Sequence, residues 1–267
     1  MPDPAIQVLD VTKRFGTRTV LDAIRLDVSY GETLVILGGS GSGKSTLLRH
    51  MIGNLKPNSG DILVFGKSIC GMTEAELDAY RKQIGVLFQS GALFNSMSVF
   101  DNVALPLRMH TDLPEETIEI TVKIKLELVG LREHAGKMPS ELSGGMKKRA
   151  GLARAMALEP RVLYYDEPSA GLDPVTSAEI DQLIIDLNQK LGITSVVVTH
   201  EMDSAFRIAH RMVLLDRGKF VASGSVEEMR NSTDALVHQF IFGLAEGPLT
   251  ARRRAGGYVS DLLGENI

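Results

Sequence analysis

The sequence has no tryptophan and only one cysteine, Cys70, in 267 residues. A single thiol cannot close an intramolecular disulfide and offers no metal-ligand cluster, which fits a reducing compartment. Cys70 reads as a buried or idle thiol. Long apolar runs are also missing: "TLVILGG" and "VVVTH" fall far short of the ~20 residues that a spanning helix needs. The opening "MPDPAIQVLDVTKRF" has no basic segment followed by an apolar run, so no signal peptide is expected. There is no excess of positive charge, with 29 Lys and Arg against 33 Asp and Glu, and nothing in that balance calls for a nucleic-acid partner. Internal repeats and low-complexity tracts are absent. What remains is 44% apolar, enough for one large domain or a core domain with a smaller insert. Such a chain is expected to be cytosolic.

Short apolar runs rich in β-branched residues recur at 6–11, 33–37, 84–88, 162–165, 195–199 and 212–215. Helical patterns lie between several of them; over 177–191, apolar residues fall at 180, 183, 184, 187 and 191. Strands alternating with helices predict a largely parallel sheet covered on both faces. The early stretch "TVLDAIRLDVSYGET" reads instead as antiparallel strands joined at Tyr30-Gly31. No strand is expected across 99–158, and "PEETIEITVKIKLELVGL" predicts a helix after a proline start. These residues form a helical insert in an α/β core. After Gly243 the periodicity stops, and the end reads as a tail.

One loop carries the strongest chemical signal. "LVILGGSGSGKSTLLRHMIG" sets an apolar strand before Gly38-Gly39-Ser40-Gly41-Ser42-Gly43-Lys44-Ser45 and an amphipathic helix after it. This is G-x-x-x-x-G-K-[ST] in its required strand, loop and helix setting. The glycines let backbone N–H groups converge on phosphate oxygens at a positive helix end. Lys44 adds a point charge, and the Ser45 hydroxyl can ligate Mg2+. A nucleoside triphosphate is the expected ligand. Downstream, "RVLYYDEP" ends a strand in Asp166 and Glu167. Beside a phosphate loop, Asp166 can hold the metal through water, and Glu167 can orient or deprotonate the attacking water. "VVVTHE" ends a second buried strand in His200, placed to sense the terminal phosphate. Gln89, after "IGVLF", ends a third run where its amide can reach metal and water.

In this order the motifs resemble the nucleotide-binding subunit of ABC transporters, over about residues 6–230. Gly38 to Ser45 matches the Walker A loop, Gln89 the Q-loop, and "LSGGM" at 142–146 the signature. Asp166 and Glu167 match the Walker B pair, "SAGLD" at 169–173 the D-loop, and His200 the switch histidine. The resemblance implies nucleotide contacts at Phe15, as the adenine-stacking aromatic, and at Gly38, Gly39, Ser40, Gly41, Ser42, Gly43, Lys44, Ser45 and Thr46. It implies catalysis by Glu167, His200 and Gln89, Mg2+ held by Ser45, Gln89 and Asp166, and a D-loop role for Asp173. Two copies would pack head to tail, so that Ser143, Gly144 and Gly145 of one touch the ATP of the other. The family's signature commonly ends in glutamine, where this chain has Met146. The cations Lys147, Lys148 and Arg149 have a second reading as a plain solvated helix face. The expected class is α/β: a P-loop NTPase with a mostly parallel core sheet, an antiparallel β subdomain and an inserted α-helical subdomain. Its ATPase domain would span 1–246, with the insert at about 99–158.

Two segments narrow the resemblance. "FQSGALFNSMSVFDNVALPLRMHTDLP" and "GLAEGPLTARRRAGGYVSDLLG" are similar to the ATPase of Mla-type bacterial phospholipid transport systems, and Met146 fits that family. That resemblance implies membrane permease subunits, a periplasmic MCE-domain hexamer and a small STAS-domain cytoplasmic subunit. It places the chain at the cytoplasmic face of the inner membrane. The extension 247–267 would be an arm clasping the partner ATPase, its competitor being a basic tail that touches acidic lipid. The alternative function is the ATPase of an ABC importer for amino acids or another small solute.

Overall fold

The computed structural model describes residues 4–250; of the expected arm at 247–267, residues 251–267 lie outside the described residues. Strands β1 (Ile6–Phe15) and β2 (Arg18–Val28) form an antiparallel hairpin, and β3 (Thr33–Leu37) leads into α1 (Lys44–Met51). Next come β4 (Ser59–Val64), β5 (Lys67–Ser68), α2 (Glu74–Arg81) and β6 (Ile84–Leu87). Three helices follow: α3 (Val99–His110), α4 (Glu115–Leu128) and α5 (Gly144–Ala155). The chain then alternates through β7 (Val162–Asp166), α6 (Pro174–Leu191), β8 (Thr194–Thr199), α7 (Met202–Ile208) and β9 (Arg211–Asp216). It ends in β10 (Lys219–Gly224), α8 (Val226–Arg230) and α9 (Ala235–Phe242).

Two sheets result. One is antiparallel, in the order β2-β1-β4-β5; the other runs β10-β9-β3-β8-β7-β6 and is parallel except for the β9–β10 hairpin. All five residues of β3 and all six of β8 are buried, as strands covered on both faces require. Their side chains alternate between two cores. Val35, Leu37, Leu163, Tyr165 and Val197 face one, shared with α3, α4, α5 and α6. Leu34, Ile36, Tyr164, Val196 and Val198 face the other, shared with α1 and the antiparallel sheet. The helical insert therefore packs on the sheet that carries the strand ends of the site.

The expected strands and the insert helices are present, with two differences. Tyr30-Gly31 does not join antiparallel partners: it carries the chain from the antiparallel sheet into β3, which pairs in parallel with β8 and β9. The hairpin turn is the one at Gly16, where φ is +58°. Residues 244–250 are also not a free tail. The Gln239 amide donates to the Leu244 carbonyl and the Thr250 hydroxyl and accepts from the Leu249 N–H, while the Leu249 side chain packs on the core. Cys70 is half-buried, and burial with neighbouring Asp61 pushes its thiol up to about 11, which leaves it protonated and inert near neutrality. Among the described residues no helix is long and apolar enough to cross a membrane.

Candidate active site

The phosphate loop joins the end of β3 to the start of α1. Gly43, immediately before α1, has φ +114°, and a Cβ there would lie 2.9 Å from both the Val20 carbonyl oxygen and the Leu21 side chain. Only glycine meets both demands. Lys44 is 8% exposed. Its Nζ donates to the carbonyls of Gly38 at 2.7 Å and Gly39 at 3.2 Å, which holds the ammonium inside the loop. Burial lowers its pKa, and the carboxylates of Glu167 and Asp166 pull the other way. The buried Ser42 hydroxyl finds no hydrogen-bond partner among the described residues. An orphaned buried hydroxyl is costly, and a phosphate oxygen would satisfy it. Ser40, Gly41 and Ser45 are exposed, with Gly39 and Thr46 half-buried. The cleft above is lined by Arg18, Val20 and residues 41–46. Phe15, at the end of β1, is 51% exposed with Lys13 over its ring, so it is not a core residue.

The carboxylates sit at the end of β7. Glu167 has φ +52°, a left-handed conformation held by the hydrogen bond from its N–H to the Val198 carbonyl at 2.8 Å. Such a conformation in a non-glycine residue costs energy and collects at functional positions. Its side chain is largely buried and pairs with His200, whose ring is exposed. Asp166 lies in register with Val198 of β8. Burial first, and the Glu167 charge second, push the Asp166 carboxyl above its usual range, against Lys44 and Arg49. Gln89 is exposed just beyond β6, the strand paired with β7. Lys44, Asp166, Glu167 and His200 thus converge at one end of the parallel sheet.

The signature lies on α5. Ser143 caps that helix by accepting from the Met146 N–H at 3.2 Å, and both Ser143 and Gly144 are exposed. Gly145 is buried: a Cβ there would come 2.3 Å from Cγ2 of Thr176 at the start of α6. Its glycine is demanded by this packing. Met146 is half-buried against the apolar core, which accounts for a thioether at that position. Asp173 caps α6, accepting from Val175 N–H, Thr176 N–H and the Thr176 hydroxyl, and these bonds hold its carboxyl low.

The basic run after the signature is not a solvated face. Lys148 is 4% exposed, with Nζ donating to the carbonyls of Ala170 at 2.6 Å and Glu167 at 3.3 Å, and Arg149 pairs with Glu179 at 2.8 Å. Position 148 is three residues from both Gly145 and Gly151, one closely packed helix face. That spacing was the available signal. Arg154 clamps the segment after Gln89, donating to Ala92 at 2.8 Å and Gly91 at 3.1 Å. No sequence signal marked that contact.

A buried strand feeding a glycine-rich phosphate loop, with a lysine held over it and acidic strand ends beside it, defines a P-loop NTPase of the ATP-binding-cassette class. The family model "ABC transporter" matches residues 21–170, and the chain belongs to that family, as an ATP-binding and ATP-hydrolysing subunit. The chain is 48% identical over 259 residues to the intermembrane phospholipid transport system ATP-binding protein MlaF of Escherichia coli K12, covering 97% of this chain and 96% of that protein. The Haemophilus influenzae protein of the same description is 45% identical over 257 residues, 96% of this chain and 97% of its own. Among solved structures, a dimeric post-hydrolysis ATP-binding cassette bound to ADP and Pi superposes with TM-score 0.77 at 30% identity, covering 83% of this chain and 98% of that one.

Proposed function

We propose that the chain is the ATPase subunit that powers phospholipid transport between the inner and outer membranes of a Gram-negative envelope. The observation that carries the chemistry is the convergence of Lys44, Asp166, Glu167 and His200 at one end of the parallel sheet. The relatives named for intermembrane phospholipid transport, similar from end to end, carry the cargo. The chain acts at the cytoplasmic face of the inner membrane, held by permease subunits, in a complex with an MCE-domain hexamer and a STAS-domain subunit.

Phe15 stacks on adenine, Lys44 and the N–H groups of 38–46 bind the β- and γ-phosphates, and the Ser42 hydroxyl gains its missing partner there. The Ser45 hydroxyl, the Asp166 carboxylate and the Gln89 amide suit Mg2+, an oxygen-seeking ion that keeps several of its ligands as phosphate and water. Burial first and the Glu167 charge second raise the Asp166 carboxyl, and a bound cation would oppose both effects. When bound, the ion offsets the charge of the phosphates. Glu167 accepts the proton of the attacking water at a carboxylate oxygen, and His200 holds that carboxylate in place. Two copies close head to tail, the exposed Ser143 and Gly144 of each reaching the γ-phosphate bound by the other. Hydrolysis reopens them, and the motion of the insert passes to the permease.

Purification of the complex from membranes through a tag on this chain tests the cargo. Permease and MCE-domain subunits with bound phospholipid support the reading. A soluble amino-acid-binding protein in their place would overturn it in favour of a solute importer.

A further inference from the structure

Lys148 joins two functional segments, the signature helix and the turn that begins at Glu167. It lies on α5, three residues beyond Gly145, about one turn from the helix end that carries Ser143. Its Nζ donates to the carbonyls of Glu167 and Ala170, and the Glu167 carbonyl also accepts from the Ala170 N–H at 3.3 Å. The ammonium therefore staples the turn that starts at Glu167, the residue in the left-handed conformation. The cation is 4% exposed in a strand-end environment that includes the carboxylates of Glu167 and Glu201. Burying a lysine is expensive unless its donors are used, and here two go to backbone carbonyls, which no change in side-chain ionisation can remove.

We infer that Lys148 is a positioning residue coupling the two ATP sites of the dimer, because it fastens the turn bearing Glu167 of one site to the helix whose first residues serve the other. The inference rests on the head-to-tail dimer proposed above. When Ser143 and Gly144 engage the partner's γ-phosphate, α5 shifts, and the Lys148 ammonium carries that shift to the backbone of Glu167. The catalytic carboxylate of one site is then set by nucleotide at the other. Neighbouring cations do not have this reach: Arg149 is committed to Glu179 on α6 and Arg154 to the carbonyls at 91 and 92.

The test is steady-state ATP hydrolysis against ATP concentration, using the full-length chain in its purified transporter complex. The parent should show a Hill coefficient approaching ~2, the number of sites. Lys148→Met, which keeps the volume and removes the donors, should bring it toward ~1 and lower kcat about tenfold, with half-saturation within about twofold. Lys148→Arg, which keeps both donors, should retain the parental curve. Should the Met variant fail to assemble, Lys148→Gln takes its place, since the shorter amide cannot span both carbonyls; the same loss is expected. A donor-free variant that melts lower yet keeps the parental Hill coefficient and kcat would make Lys148 a structural residue and overturn the inference, as would a Lys148→Arg curve matching that of Lys148→Met. A parent complex that hydrolyses no ATP would instead overturn the ATPase reading itself.

Discussion

Nδ1 of His200 lies 2.9 Å from one carboxylate oxygen of Glu167, and the His200 backbone N–H donates to the other oxygen at 3.4 Å. The two residues directly follow neighbouring strands, β7 and β8, so the sheet register sets their approach. A carboxylate held at both oxygens has one orientation, which is what a base that must meet a single water requires.

Glu167→Gln keeps the shape of that contact and removes the proposed base. Phosphate release should fall by about 10²–10⁴-fold while ATP binding is retained. His200→Ala should also slow hydrolysis, by a smaller factor, because the base remains but is no longer oriented. Phosphate release and nucleotide affinity, measured on the same preparations, separate the two effects. A Gln variant hydrolysing at the parental rate would remove Glu167 from its role.

Ser143→Arg should block ATP-driven dimer closure while leaving the fold and Walker A binding intact, because Ser143 is exposed at the start of α5 and in the proposed dimer meets the phosphate held by the second copy. Lys44→Ala should do the reverse, weakening nucleotide binding by roughly ten- to hundredfold through loss of a charged contact. Sedimentation with and without ATP, beside direct binding of a fluorescent ATP analogue, distinguishes them. A Ser143→Arg protein that dimerises with ATP would refute the assignment in trans.

Asp181, 1% exposed on α6, accepts from the Ser204 hydroxyl and from Arg207 at 2.9 Å, both on α7, the helix that follows His200. Asp181→Ala strands a buried hydroxyl and loses the tie between the helices. A loss of about 1–3 kcal/mol is expected, with the melting temperature falling ~2–4 °C per kcal/mol in a chain of this size. ATP affinity should hardly change. Thermal melting and nucleotide titration check both statements.

Asp166 supplies a pH dependence. Its folded-state pKa is raised, by burial and then by Glu167, so it favours folding when protonated. That contribution is complete below the pKa of a free aspartate and is lost as pH rises through the raised value. Asp166→Asn should therefore melt above the parent near neutrality, with the gap closing as the pH falls to ~4 and below. The same variant should lose hydrolysis, a stability gain obtained at the expense of function. Melting curves across this range decide the matter, and a gap that widens on acidification would contradict it.

Much of the fold was legible. The run Thr33 to Leu37 reads as a strand because every residue is apolar or β-branched, and the strand-loop-helix setting of Gly38 to Ser45 needs no distant partner to be recognised. Other features depended on contacts that no local pattern reports. Lys147, Lys148 and Arg149 look alike as a charge run, yet Lys148 is buried because a turn nineteen residues ahead offers it a carbonyl. Residues 244–250 lack periodicity and still dock, because Gln239 supplies donors and an acceptor for a segment without repeating side chains.

By itself the sequence determined the strands, the phosphate loop and the insert helices, and it marked the side chains proposed to react, since each rests on residue type and spacing within a few turns of chain. The tertiary structure alone decided that Tyr30-Gly31 passes between sheets, that Gly145 is glycine because of Thr176, that Glu167 is held by His200, and that Lys148 ties α5 to the backbone carbonyls of Glu167 and Ala170. Those are long-range choices. They follow from which strand ends the parallel sheet brings together and which polar groups must find a partner once water is excluded.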